Sequence, residues 1–390
     1  MIKAPTKTQK LEYLDATLLM QHVLSCCPHY ADRFVETLKR HPSSHANQWH
    51  CIMGFDEFNS GDKLKVFMQG KKMMCLYFTF EELEENSSNS MWLPLAAVRS
   101  HVLNLFEGGW SNVFTQMLHR TFYGRLGLSV VGVAFSHRGR HCIFYAKLSN
   151  ILSDGDGLKL VTGWRGASGL RPCLVHSNIL MKGSDLDNRQ PGFVEISCTD
   201  PSLIRETTSS EFRFRCDLIA EAHSRFKAGR MTKGMYENIC KSEGQNYVPG
   251  GLGFDSRIRS VGLDWFPTIT VDWVHTLLQD GVFTTEARCM IGAMAIPGEK
   301  LKEYLQQNWE FPKAFETKGR VLWRVSDSYR LDDDGNVDKL RCSLSECLGL
   351  FSFLRYFFYR KARDRADLKA NCDSFNACCD LLAFILAVKR

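Results

Sequence analysis

The sequence predicts an α/β fold, and three observations carry the prediction. Over the first 160 residues or so, short apolar segments rich in strand formers follow one another, interrupted by one amphipathic helix. The composition, 44% apolar and 24% charged over 390 residues, is that of a core-forming chain with room for two or three structural units or for one domain with a large insertion. After Asp154 the style changes: Gly, Ser, Asp and Arg dominate residues 165–270, and long helical patterns return only towards the C-terminus.

The elements follow in order. Residues 10–40 place apolar side chains at helical spacing in "LEYLDATLLMQHVLSCC". "HCIMGFDEF" (50–58) reads as a strand that ends in acid, and "KLKVFMQG" and "KMMCLYFTF" as two more strands turning at "QGKK". "EELEENSSNS" (81–90) reads as an exposed loop. Residues 111–127 form a helix with Ser at its start and Gly at its end. "LSVVGVAF" and "HCIFYAKLSNILSD" supply further extended segments. Helices are then expected at 211–228, 273–307 and 343–365, with a turn at "DDDG" (332–335).

Composition narrows the class of function. A net charge of +6, from 49 basic and 43 acidic residues, permits a nucleic-acid partner without demanding one. The first residues, "MIKAPTKTQKLEYLD", lack an apolar signal core, so secretion is not expected. The run "LLAFILAV" (381–388) is too short to span a bilayer, so no membrane partner is expected. Fifteen cysteines without a signal peptide point to reduced thiols in a nuclear or cytoplasmic protein. No Cys-x-x-Cys occurs, which excludes an all-cysteine zinc ribbon.

Three acids stand out by context. Asp56 and Asp154 close apolar strands, and Glu346 sits near the start of the long apolar helix. An acid at the end of a buried strand is costly unless it is paired or binds a cation. Two such acids on neighbouring strands, with a third from a packed helix, would make an oxygen-rich pocket of the kind Mg²⁺ prefers. Metal held there can activate a water or hydroxyl for phosphodiester chemistry. The alternatives are local: Asp154 before "GDG" suits a turn, "SLSE" with Ser343 suits a capping box at Glu346, and Glu57 and Asp62 rival Asp56.

A second set is softer. Cys173 and His176 stand in "GLRPCLVH", and Asp272 and His275 at i and i+3 in "VDWVHTLLQDGVF". Cys, His and carboxylate are zinc ligands, so the two pairs could fill one tetrahedral shell; a turn after "RP" and a capping or buried His are the structural alternatives.

In this order the elements resemble the DDE transposases of the cut-and-paste class, nearest the CACTA-like (CMC) and Kyakuja–Dileera–Zisupton groups. The resemblance rests on "CIMGFDEF", then "LSDGDGLKLVTGWRGASGLRPCLVH", then "VDWVHTLLQDGVF", then "CSLSECLGLFSFLRYFF", and covers about residues 50 to 358. It implies an RNase H-like catalytic core, a mixed sheet with flanking helices, interrupted by a large, mainly irregular and helical insertion before the last catalytic helix. The implied divisions are an N-terminal helical segment (1–49), the first part of the core (50–164), the insertion (165–340) and a final core helix with a C-terminal helical segment (341–390). Asp56, Asp154 and Glu346 would be the catalytic acids, holding Mg²⁺ or Mn²⁺ for cleavage and strand transfer on DNA. Cys173 and His275 take the places of the family's cysteine and histidine. His176 departs from the pattern, standing where a second cysteine is usual, and with Asp272 it would complete a structural Zn²⁺ site.

Transposon ends and target DNA would be the partners, with a homo-oligomer as the acting form. Phosphate contacts would come from Arg138, Arg140, Lys159, Arg165 and Arg171, and from "RYFFYRKARDR" (355–365). Trp110 and Trp164 are candidates to stack on a flipped base, with core packing as the alternative. The competing expectation is a catalytically inactive transposon-derived fragment that serves at most as a DNA- or protein-binding module. His176, the lack of a visible DNA-binding domain before residue 50 and the ending inside "LLAFILAVKR" favour it.

Overall fold

Strand β1 (Trp49–Asn59) organises the first half of the chain. Its residues alternate faces, as a strand must. Trp49, Cys51, Met53 and Phe55 are buried on one face, and His50, Ile52, Gly54 and Asp56 fall on the other. The computed structural model describes residues 12–59, 72–84, 91–181, 192–278, 281–296, 329–331, 337–340 and 344–388. The expected strand at "KLKVFMQG", Asp62, the capping Ser343 and the "DDDG" turn lie outside these residues.

The fold is mixed α/β. Strand β1 pairs antiparallel with β2 (Lys72–Phe80), which pairs antiparallel with β3 (Leu93–Arg99). The "LPLAAVR" segment of β3 was not expected to be a strand. Its Pro94 stands on the edge strand, where the register with β2 shifts, and edges and bulges are where strands accept proline.

Two helices precede β1, α1 (Ala16–Cys26) and α2 (Pro28–Arg40), where one was expected. Pro28 explains the break: it has no N–H for an intrahelical bond and serves as the first residue of α2 instead. Phe34 of α2 is fully buried, with its ring 4.8 Å from that of Trp49 and 4.7 Å from that of Phe144.

Helix α3 (Gly109–Tyr123) follows the edge strand and buries Trp110, Val113, Phe114, Met117 and Leu118. Phe114 lies 5.1 Å from Phe55, centroid to centroid, so α3 covers the Phe55 face of the sheet. Next comes a hairpin of β4 (Val133–His137) and β5 (Arg140–Phe144). Both central turn residues, Arg138 and Gly139, have positive φ, the conformation that two-residue hairpins favour.

After Tyr145 the chain enters β6 (Ala146–Ser153), which pairs in parallel with β1. The segment expected as one strand is therefore two, belonging to different sheets. Helix α4 (Gly155–Thr162) starts immediately after β6. Helices α5 (Ser209–Lys227) and α6 (Lys233–Glu243) form a helical hairpin, and the short strand β7 (Ile269–Val271) completes a sheet ordered β3-β2-β1-β6-β7. Helix α6 was not anticipated in a stretch read as largely irregular.

The chain divides into two compact units, Met1–Thr270 and Val271–Arg390; the division falls within the 165–340 segment. The second unit holds α7 (Trp273–Leu277), α8 (Val282–Ala293), a small hairpin of β8 (Tyr329–Leu331) and β9 (Val337–Leu340), and the long helices α9 (Leu344–Ala362) and α10 (Lys369–Val388). Its core is built by Phe283 and Met290 of α8, Leu350, Leu354 and Phe358 of α9, and Phe375 and Leu382 of α10. The spacing of the α9 residues is the apolar stripe legible in "SLSECLGLFSFLRYFF". Among the described residues no helix is long and apolar enough to cross a membrane.

Candidate functional site

The register of β1 on β6 positions the two aspartates. Met53 pairs with Ile151 and Gly54 with Leu152. Carrying that register two residues further would bring Asp56 level with Asp154. Both lie beyond the paired stretch, towards the carboxyl ends of two parallel strands, where open α/β sheets bind their ligands. Asp56 is exposed and Asp154 half-buried. Asp56 also faces Cys75 across the β1–β2 ladder. Burial raises the pKa of the Cys75 thiol, and the Asp56 charge raises it further.

Asp154 is the N-cap of α4. Its Oδ1 accepts from the Gly157 amide at 2.6 Å, satisfying one of the orphan N–H groups at the start of the helix. The capping alternative read from "SDGDG" is thus realised, and it coexists with the strand-end position. Gly157 is needed here: a Cβ would meet Ser153 Oγ, Phe55 Cε2 at 2.9 Å and Asp154 Oδ1 at 3.1 Å. Gly54 is needed on the same face as Asp56, because the Tyr77 ring of β2 lies where its Cβ would stand.

The rival Glu57 is otherwise engaged. It pairs with Lys72 at 2.6 Å and accepts from Ser100 Oγ at 2.6 Å, and the Lys72 bond is the main reason its pKa is lowered. Behind it opens a cleft of about 570 Å³ whose lining includes Glu57, Lys72, His101, Trp110, Lys159 and Asn246.

Glu346 lies in the first turn of α9, half-buried, in the second unit. Among the described residues no three His, Cys, Asp or Glu side chains are grouped to hold a metal ion. The oxygen donors that the continued β1–β6 register would align are two, Asp56 and Asp154. Two carboxylates are enough for Mg²⁺, which keeps several waters and takes phosphate oxygens as further ligands.

Cys173 and His176 do converge, with Sγ 3.1 Å from Nδ1. Two ligands of one tetrahedral zinc would stand roughly 3.5 Å apart, from ordinary Zn–S and Zn–N lengths. The turn that brings them together is tied from outside. Arg171 donates to the Ser177 carbonyl at 2.7 Å, stands 3.9 Å from the Glu243 carboxylate and lies over the Phe193 ring. Thr207 donates from its amide to the Val175 carbonyl at 2.8 Å.

Asp272 stands immediately before the helix that carries His275. It is the N-cap of α7, its Oδ1 accepting from the Val274 amide at 2.9 Å. The side chain of His275 lies outside the described residues.

The basic candidates are mostly engaged within the fold. Arg138 pairs with Asp32 at 2.6 Å and Lys159 with Asp156 at 2.8 Å. Arg165 donates to Asn246 at 2.8 Å, and Arg171 holds the turn just described. Arg140, at the start of β5, is exposed. Trp110 is 3% exposed and packs on Phe55 and Phe114, so it is a core residue; Trp164 is half-buried. The partners of Arg138, Arg165 and Arg171 come from distant positions, which is why no local pattern exposed them; that of Lys159 is one helical turn away. Compared with known proteins, the sequence matches no family model and no curated relative.

Proposed function

We propose that this chain is a DDE-type transposase relative with an RNase H-like core, cleaving and joining DNA phosphodiesters with Mg²⁺ or Mn²⁺ held at Asp56 and Asp154. The observation that carries the reading is the parallel pairing of β1 with β6, whose register, continued two residues past its last pair, would bring Asp56 level with Asp154. The mixed sheet with flanking helices supports the same reading. A bound divalent cation would neutralise phosphate charge and acidify a nucleophilic water or hydroxyl. The protein's own contribution is positional. Asp56 is held by the ladder to β2, opposite Cys75, just past the end of the β1–β6 ladder. Asp154 is oriented through Oδ1 by the Gly157 amide. The family resemblance implies a further acid, Glu346, which stands in the second unit, and Cys173 with His176 would supply two ligands of a structural zinc.

The test is metal-dependent nicking of duplex DNA by the full chain. Asp56→Asn and Asp154→Asn should each lower the rate by roughly 10²-fold or more, the usual scale for losing one charge-stabilising group. Asn at position 154 is an equally good N-cap, so this variant removes the charge and keeps the fold. Cleavage equal to the parent in either variant would overturn the assignment. Zinc content measured on the purified protein should fall in Cys173→Ser if the softer pair binds metal.

A second reading, a DNA- or protein-binding module without catalysis, is favoured by one observation: Asp154 already has a structural task as the cap of α4. DNA binding without nicking would select it.

A further inference from the structure

We infer that the turn joining α5 to α6 is a contact site for the phosphate backbone of nucleic acid, formed by Arg225, Lys227, Arg230 and Lys233. The inference rests on the proposed DNA chemistry for the identity of the polyanion and on separate residues for its evidence. From Ala222 to Tyr236 the sequence holds these four cations and no Asp or Glu. All four are exposed. Lys233 reaches Glu237 at 3.5 Å; among the described residues Arg225, Lys227 and Arg230 have no ion pair, although Glu221 stands one turn before Arg225. The contrast with Arg138, Arg171, Arg257 and Arg259, each held by a carboxylate, is what marks this turn out.

The backbone concentrates the charge. Gly229 is left-handed at φ +68°. Its amide donates to the Phe226 carbonyl at 3.0 Å, and the Arg230 amide donates to the Arg225 carbonyl at 2.9 Å. This pair of bonds is a Schellman motif, and it draws Arg230 back beside the last turn of α5, which already carries Arg225 and Lys227. Cations suit the C-terminus of α5, but Lys233 opens α6, where the helix dipole disfavours a cation and no acid stands in the first turn. Dipole complementarity therefore explains half of the cluster. A polyanion that bridges both helix ends explains all of it.

The support beneath is rigid. Phe226 and Tyr236 stack in parallel across the hairpin, 5.3 Å between centroids at 5°, and His223 stacks on Tyr247 at 4.0 Å. Met231, in the turn, is buried. A cationic turn held this way meets a phosphate chain without first being ordered.

The test measures binding of the full chain to a labelled DNA duplex of about 30 base pairs across a salt series, since each phosphate contact adds about 0.9 to the slope of log K against log salt. Arg225→Gln, Lys227→Gln and Arg230→Gln combined should weaken binding at least tenfold at 100 mM salt and lower the slope by about 2 to 3. The charge-preserving combination of Arg225→Lys, Lys227→Arg and Arg230→Lys should bind like the parent, which separates lost charge from lost fold. An unchanged slope in the glutamine variant overturns the inference, as does tighter binding of polyglutamate or anionic vesicles than of duplex at equal salt. Asp56→Asn distinguishes the two claims. If it binds normally and the parent does not nick, the catalytic reading fails and the turn stands. If the parent nicks and the glutamine variant binds normally, the turn fails and the catalytic reading stands.

Discussion

Replacing Asp154 by Ala and by Asn should separate its two tasks. The carboxylate caps α4 through one hydrogen bond to the Gly157 amide at 2.6 Å. Loss of an N-cap to Ala costs about 1 kcal/mol, within a range of roughly 0.5–2. The upper half of that range is expected here, because Gly157 is buried and its amide would lose its partner where water has little access. Asn restores the acceptor and forgoes only the carboxylate's interaction with the helix dipole, about 0.3–1 kcal/mol at a half-exposed site. The expected order of stability is therefore parent, then Asn, then Ala, spanning about 1–2 kcal/mol, or a factor of 5–30 in the unfolding constant. Urea denaturation gives the global value, and hydrogen exchange of a peptide covering 153–165 reports the local one. Faster exchange at Gly157 and Leu158 is expected in Ala and near-parent exchange in Asn. Equal protection in Ala and parent would refute the capping argument, and with it the claim that Asn is a fold-neutral probe of the charge.

Three further outcomes are expected. Gly157→Ala should destabilise by about 1–3 kcal/mol through overpacking against Phe55, visible as a lowered denaturation midpoint, and should displace the Asp154 carboxylate. Arg171→Met should cost about 1–3 kcal/mol, because it leaves the Ser177 carbonyl and the half-buried Glu243 carboxylate unpaired; a matched loss in a thermal melt checks it. The Asp32 carboxyl is held below its ordinary pKa, first by the hydrogen bond with His137 and further by Arg138. A depressed carboxylate stabilises the fold above its ordinary pKa of 3.8, and that contribution is lost as pH falls through the lower folded value. The tie between α2 and the β4–β5 hairpin should persist below pH 4 in a carboxyl titration followed by NMR, and release near 4 would count against it.

Much of the fold was legible because its signals are local. The alternation in "CIMGFDEF" and the stripe in "FSFLRYFF" are written within one or two turns of chain; the helix expected over 111–127 is present as α3 but runs from Gly109 to Tyr123, with Ser111 inside it. Local reading failed where the deciding contact was remote. The edge strand β3 contains a proline, which is accepted at the rim of the sheet, where the register with β2 shifts. Tyr145 divides one apolar run into two strands because β5 finds its partner in β4 and β6 finds its partner in β1.

The candidate site divides in the same way. That Asp56 and Asp154 follow apolar strands, and that Cys173 and His176 stand three residues apart, is fixed by sequence. How the two aspartates stand to each other is a matter of register between strands far apart in the chain, where a shift of one residue turns a strand's side chains to the opposite face. The fate of the cations is likewise tertiary. Arg138, Arg165 and Arg171 are engaged by Asp32, Asn246 and Glu243, each from another element, whereas the Schellman turn between α5 and α6 gathers Arg225, Lys227 and Arg230, which have no ion pair among the described residues. Sequence determined which residue types could do the chemistry, because side-chain identity is local. Tertiary structure decided which of them stand together and which are already engaged, because pairing depends on distances the chain sets only when it folds.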